Sequence, residues 1–274
     1  IDSNADAVGD LFLNAGTDGA AGGNLAVTAT TGNITQGVAV AVTGNSAFTT
    51  AATDATITLG TTTNALGGTV AFTTAGTAGN VTIDNGTTAL DLATSTINGT
   101  LTATGGASAG IVDSGNVAVA GNVTLTTDAG NGVINMGTLQ QSAGDLILVT
   151  NGNGAATVVN NAAIDFGTSN VRGALSATAS AGTITQNGGA LTVAGTSAFT
   201  TSTNDQAITL GDTSNALTGA VAFTTGGTTG NVTIDNGTTA LDLAASTISG
   251  TLSATGGASA GIVDSGNVAG AGNV

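Results

Sequence analysis

The sequence predicts an all-β chain folded as a parallel β-helix, a β-solenoid with coils of about 20–26 residues. Three observations lead there. The composition disfavours helix, apolar and polar residues alternate in short segments, and the chain repeats itself on two length scales.

The 274 residues include 45 Gly but no Pro, Cys, His, Trp or Tyr. All sixteen acidic residues are Asp, and Arg172 is the single basic residue. Charged residues make up 6%, against roughly a quarter in ordinary soluble domains. Thr, Asn, Ser and Gly must therefore cover the surface. Disorder requires low hydrophobicity joined to high charge, and a chain that is 41% hydrophobic does not fit that description. Gly, Thr, Val and Ile disfavour helix, while Glu and Lys, two common surface helix formers, are absent. Thr, Val and Ile suit a pleated, half-buried surface, and Gly and Asn suit tight turns.

Charge narrows the partners. At −15 with one Arg, the chain cannot hold nucleic acid through phosphate contacts and is not drawn to anionic lipid. No apolar run approaches the ~18 residues of a membrane span, so no membrane insertion is expected. Without Cys, packing and backbone pairing must hold the fold. No signal peptide is visible and Ile1 is not an initiator, so the chain reads as an internal or mature fragment.

The longer repeat is nearly literal. Gly79-Asn-Val-Thr-Ile-Asp-Asn-Gly-Thr-Thr-Ala-Leu-Asp-Leu-Ala93 recurs unchanged at Gly230 to Ala244. Ser46-Ala-Phe48-Thr-Thr50 returns 151 residues later, from Ser197 to Thr201, and Gly32-Asn-Ile34-Thr-Gln36 matches Gly182 to Gln186 at an offset of 150. One residue has been inserted between those anchors, as a loop permits. The organisation expected is one continuous solenoid over residues 1–274, with copies at about 23–172 and 173–274, the second truncated. The final Gly272-Asn-Val274 corresponds to Gly121-Asn-Val123, which runs on into Thr-Leu-Thr-Thr, so more copies are expected to follow.

The shorter rhythm supplies the strands. In order these are Leu25-Ala-Val27, Ala47-Phe48-Thr49, Ile57-Thr-Leu59, Val70-Ala-Phe72, Val81-Thr-Ile83 and Leu90-Asp-Leu92. Leu101-Thr-Ala103, Val123-Thr-Leu125, Leu146-Ile-Leu148 and Leu191-Thr-Val193 follow. Most put two apolar side chains on one face, and Gly, Asn and Asp punctuate the gaps. Such short strands cannot bury an apolar face alone. Stacked coils let each strand pair in parallel with the next, about eleven coils making a rod of roughly 50–55 Å at ~4.8 Å per strand. Phe48 and Phe72 lie 24 residues apart, as do Phe199 and Phe223, and should stack in an internal ladder, while outward Thr residues should form ladders of their own.

The run Gly-Asn-Leu-x-Val-x-Ala-x-x-Gly-Asn-Ile-Thr-Gln, from Gly23 to Gln36, resembles the coil repeats of filamentous-haemagglutinin-like exoproteins. Variants stand at Gly173 to Gln186, Gly121 to Asn135, Gly9-Asp-Leu-Phe-Leu13 and Gly144-Asp-Leu-Ile-Leu148. The resemblance covers nearly the whole chain. It implies a right-handed parallel β-helix exported across a Gram-negative envelope, secreted or at the cell surface, as the shaft of a large adhesin.

Catalysis needs groups that titrate or attack within a polar pocket. Ser and Thr abound, but His and Lys, their usual activating bases, are missing. The chain is therefore not expected to be an enzyme, and no catalytic, cofactor-binding or metal residue is assigned. Asp84, Asp91 and their copies Asp235 and Asp242 should point outward on a solvated face. A sharper alternative is Ca2+ held between neighbouring carboxylates, although the Gly-Gly-x-Gly-x-Asp nonapeptide of calcium-binding β-rolls is absent. Thr28-Ala-Thr30 and Thr102-Ala-Thr104 raise an ice-binding array, but variable gaps argue for ordinary outward residues. Asn80-Val-Thr82 and Asn122-Val-Thr124 are glycosylation sequons. Arg172 either pairs with Asp165 or lies in an irregular connection from Asp165 to Gly173.

A structural shaft is the favoured expectation, and the scarcity of Lys and Arg suits a shaft exposed to trypsin-like proteases. Its partners would be further copies of its own repeat, end to end or laterally, because open sheet edges invite pairing. That leaves a self-assembling filament, sheath or surface layer as the alternative, and an ice- or glycan-binding face as a lesser one. Host or surface glycan would be met by other regions.

Overall fold

The computed structural model describes residues 2–3, 11–13, 23–128, 130–257 and 261–272. Ile1, Gly9 and Asp10, and Asn273 and Val274 of the terminal Gly-Asn-Val, lie outside the described residues. The chain is a β-solenoid of about eleven turns with no helix among the described residues. It divides into two compact units, Ile1–Gly144 and Asp145–Val274.

In the first unit one face is a parallel ladder of Ile34–Gln36, Ile57–Leu59, Val81–Asp84, Leu101–Gly105 and Val123–Thr127. Ile34 pairs with Ile57, Ile57 with Val81, Val81 with Leu101 and Leu101 with Val123. Like therefore stacks on like through the core. A second ladder runs through Leu25–Ala29, Ser46–Thr53 and Thr69–Ala75. Beyond it the single strand gives way to two short ones, Leu90–Leu92 and Ser95–Ile97, both paired to Thr69–Ala75. They pass to Ile111–Asp113 and Val117–Val119, which rejoin on Ile134–Gln141.

The second unit repeats this plan. Ile164–Val171, Ile184–Val193, Ile208–Leu210, Val232–Asp235 and Leu252–Thr255 form one ladder. Ala156–Asn160, Leu175–Ala179, Ser197–Asn204 and Val221–Gly226 form the other. Every segment expected to be a strand is one, or lies within one.

Registered partners lie from 19 residues apart (Ala156 and Leu175) to 26 (Asp2 and Thr28), slightly wider at the short end than the 20–26 expected. The strands stay in register because the turns between them absorb the differences. The one-residue insertion is taken up in this way. Val40 and Leu191, both buried and 151 residues apart, each donate the backbone N–H to an equivalent acceptor, Asn64 and Asn215. The extra residue therefore lies between Gln186 and Leu191, a stretch containing Gly188 and Gly189.

Inward side chains alternate with outward ones, as in Val123–Thr127, where Val123, Leu125 and Thr127 are buried. The Phe ladder forms as expected. Phe48 stacks on Phe72 with ring centroids 5.9 Å apart, and Phe199 on Phe223 at the same distance. Phe166 meets Phe199 edge-on at 6.1 Å. Each ring is fully buried, which stabilises by about 1.5–3 kcal/mol per side chain.

One expectation is corrected. The stretch after Asp165 is not an irregular connection; Ile164–Val171 is an eight-residue strand. Ile164, Phe166, Ser169 and Val171 are buried. The alternation slips once, with register shifts on both sides of Gly167, and this bulge hides the strand from a period-two reading.

Candidate functional site

The polar side chains that recur at the coil corners act between coils. Asn24 accepts the Asn45 N–H at 2.8 Å, Asn45 that of Thr69 at 3.1 Å, Asn33 that of Thr56 at 2.7 Å, and Asn80 that of Thr100 at 2.8 Å. In the second unit Asn231 accepts from Thr251 at 2.8 Å. Each contact reaches a residue one coil further on. Turn backbone that no strand partner can reach is thereby satisfied.

Carboxylates extend the device. Asp54 takes a left-handed backbone (φ 60) and its Oδ1 accepts the N–H groups of Thr77 and Ala78, at 2.7 and 2.8 Å. The next coil turns there at Gly76, whose φ is 84. A Cβ on Gly76 would collide with Asp54 Oδ1. Asp205 repeats the arrangement with Thr228 and Thr229, opposite Gly227. Backbone hydrogen bonds hold the carboxyl groups of Asp54 and Asp205 below the ordinary carboxylate range. Asp113 accepts from Gly137 N–H and Thr138 N–H, both at 2.8 Å.

The four Asp residues singled out from sequence are not brought together. Asp84 registers with Thr104, Asp91 with Val112, Asp235 with Thr255 and Asp242 with Val263, so none stacks on another Asp. Nor are they simply solvated. Asp84 and Asp235 cap their own turns, accepting from Gly86 and Gly237 at 2.8 Å. Asp242 accepts the Ser265 N–H at 3.1 Å. Asp91 is half-buried, with an Oδ1 that is covered and accepts no hydrogen bond. Among the described residues no three Asp side chains are grouped as metal ligands would be.

Arg172 is exposed, and Asp165 is engaged elsewhere, accepting from Thr185 Oγ1 at 3.0 Å and from Asn187 through N–H and Nδ2 at 2.9 and 2.8 Å. Asn80 and Asn122 of the sequons are exposed. Asn85 and Asn236, also followed by Gly-Thr, are fully buried.

The expected outward threonine ladder is present, and sequence reasoning missed only which residues share it. Thr58, Thr82, Thr102 and Thr124 stand in register across four coils although their spacings are 24, 20 and 22 residues. The variable gaps that argued against an array are absorbed by turns. The second column holds Asp84, Thr104 and Thr126. On the second unit, Thr209, Thr233 and Ser253 align likewise. That unit also carries a shallow groove of about 280 Å³ edged by Ala174, Ser176, Thr196, Ala198, Ala220 and Ala222. It offers no charged or aromatic side chain.

The family described as repeats of unknown function (DUF5649) matches residues 4–73, 78–149 and 152–224. These matches cover well over half of the chain, which belongs to that family; the 151-residue sequence period spans two of its repeats. No curated protein and no solved structure matches at a significant level.

Proposed function

We propose that the chain is a rigid shaft segment of a large secreted or cell-surface bacterial protein, akin to the filamentous-haemagglutinin-like adhesins. The observation that supports this reading is the direction of its polar side chains. Asn and Asp at the corners hydrogen-bond to the neighbouring coil instead of converging on a pocket. Backbone pairing, stacked apolar columns and corner contacts then resist separation of one coil from the next. Such a stack holds a distal binding region away from the cell. Its partners are further copies of the same repeat, and any host or surface glycan is met by other regions.

Electron microscopy of the purified chain, with and without a calcium chelator, tests this reading. Short isolated rods indifferent to chelation are expected. Long ordered filaments or sheets would replace the shaft with a self-assembling layer, and compact globules would contradict both.

A second reading draws on the Thr58–Thr82–Thr102–Thr124 ladder. Hydroxyls repeating at ~4.8 Å along a sheet form a regular face for ordering water or a glycan chain. Ice-recrystallisation inhibition that disappears in Thr82→Val/Thr102→Val would favour it, and inactive wild-type chain would remove the ice variant.

A further inference from the structure

Seven Asn-Gly pairs occur in the sequence, at Asn85, Asn98, Asn131, Asn151, Asn153, Asn187 and Asn236. In each, attack by the glycine nitrogen on the asparagine side chain would form a five-membered imide. The fold treats these pairs differently. Asn85 is fully buried; its Oδ1 accepts the Leu66 N–H and its Nδ2 donates to the carbonyls of Leu66 and Ala89. The Gly86 N–H is turned to Asp84. Asn236 and Gly237 repeat these contacts. Asn98 Nδ2 is held by the Thr74 carbonyl, Asn187 Nδ2 by Asp165, and the Gly154 N–H is committed to the Asn151 carbonyl.

Asn151 is arranged otherwise. It is exposed, and the Gly152 N–H donates to Asn151 Oδ1 at 2.8 Å. The glycine nitrogen therefore already lies against the side-chain carboxamide, in the proximity that favours intramolecular attack. Gly152 has φ 59, and with no Cβ it holds that turn without strain.

The same turn supports the chain's one basic residue. Thr150 Oγ1 donates to the Gly154 carbonyl at 2.6 Å and accepts the Arg172 N–H at 2.8 Å. The Gly173 N–H donates to the Gly154 carbonyl at 2.8 Å. The peptide bond after Arg172 is thus held by the turn that contains Asn151.

We propose that Asn151-Gly152 is a self-modification site and that its conversion opens the Arg172–Gly173 bond to trypsin-like proteases. The Gly152 nitrogen bonds to Asn151 Cγ and the Cγ–Nδ2 bond breaks. The glycine amide proton leaves with the departing nitrogen as ammonia. Water then opens the imide at either carbonyl, leaving aspartate or isoaspartate at position 151. Isoaspartate adds a methylene to the backbone of a turn closed by the Asn151 carbonyl to Gly154 N–H bond, and that turn can no longer hold Thr150 and Gly154 against Arg172 and Gly173. A turn that carries no carboxylate of its own gains one with age, and the bond after Arg172 becomes cleavable.

The test is to incubate the folded full chain at mildly alkaline pH, locate amide-to-acid exchange by mass spectrometry, and then challenge it with trypsin. Position 151 is expected to convert at least about tenfold faster than Asn85 or Asn236, faster at higher pH, with cleavage after Arg172 growing in step. In Asn151→Gln both signals are lost while the fold, read by circular dichroism, is kept. Conversion at Asn151 no faster than at Asn85 would overturn the assignment of the site. Conversion without new cleavage, or equal cleavage in Asn151→Gln, would overturn its link to Arg172.

Discussion

Gln36 and Asn64 face each other across neighbouring coils as a reciprocal amide pair: Gln36 Nε2 donates to Asn64 Oδ1 at 2.8 Å, and Asn64 Nδ2 donates to Gln36 Oε1 at 3.0 Å. Asn64 is buried and also binds Val40 N–H and the carbonyls of Leu59 and Asp84. Gln186 and Asn215 form the same pair at 2.6 and 3.0 Å. One amide thus ties together backbone from three successive coils, at the ends of the strands Ile57–Leu59 and Val81–Asp84.

Removing it should be costly. Asn64→Ala leaves Val40 N–H and two carbonyls without their partner, and a loss of about 3 kcal/mol is expected in denaturant unfolding. A change below about 0.5 kcal/mol would mean that water replaces the amide at no cost.

The Phe ladder gives a second expectation. Phe72 is fully buried and stacked on Phe48, so Phe72→Ala should cost about 3–5 kcal/mol. A double-mutant cycle with Phe48→Ala should show coupling of about 0.5–1.5 kcal/mol. Strict additivity would argue that the rings contribute only by burial.

Two glycines should respond in opposite ways. Gly76 has φ 84 and abuts Asp54, so Gly76→Ala should destabilise by more than about 2 kcal/mol. Gly60 has open space where a Cβ would stand, and Gly60→Ala should stay within about 0.5 kcal/mol. Thermal melts of the two variants give the comparison.

Acid should weaken the Asp54 and Asp205 corners. Their folded-state acidities are increased by backbone N–H donors, so the stability they contribute is present above the unfolded carboxyl value. It is lost as pH falls through the lower folded value, from about pH 4 downward. Melting temperature measured across that range should fall less steeply in Asp54→Asn/Asp205→Asn than in the parent. Equal slopes would assign the acid limb to other carboxylates.

The strands were legible because their signal is local. Ile57-Thr-Leu59 and Leu90-Asp-Leu92 alternate visibly, and the equal Phe spacings reveal the ladder without any knowledge of the turns. Roles set by the neighbouring coil were not legible. Asn64 reads as a turn residue, and nothing in its surroundings points to Gln36, 28 positions earlier. Asp54 reads only as one of the residues that punctuate the gaps and Asp84 as an outward carboxylate, yet one caps the next coil and the other its own turn. Outward threonine ladders were expected, but their membership was hidden because Thr58, Thr82, Thr102 and Thr124 are unevenly spaced, and only the fold reveals which residues the turns absorb. At Ile164–Val171 the bulge at Gly167 broke the alternation on which the reading depended.

The mechanical account is tested most directly by pulling single molecules of the chain from its two ends. A shaft of stacked coils should resist and then lengthen in discrete steps of about 70–85 Å, the extended length of one 20–24-residue coil at ~3.3–3.6 Å per residue. Smooth extension at low force, with no steps of that size, would contradict it.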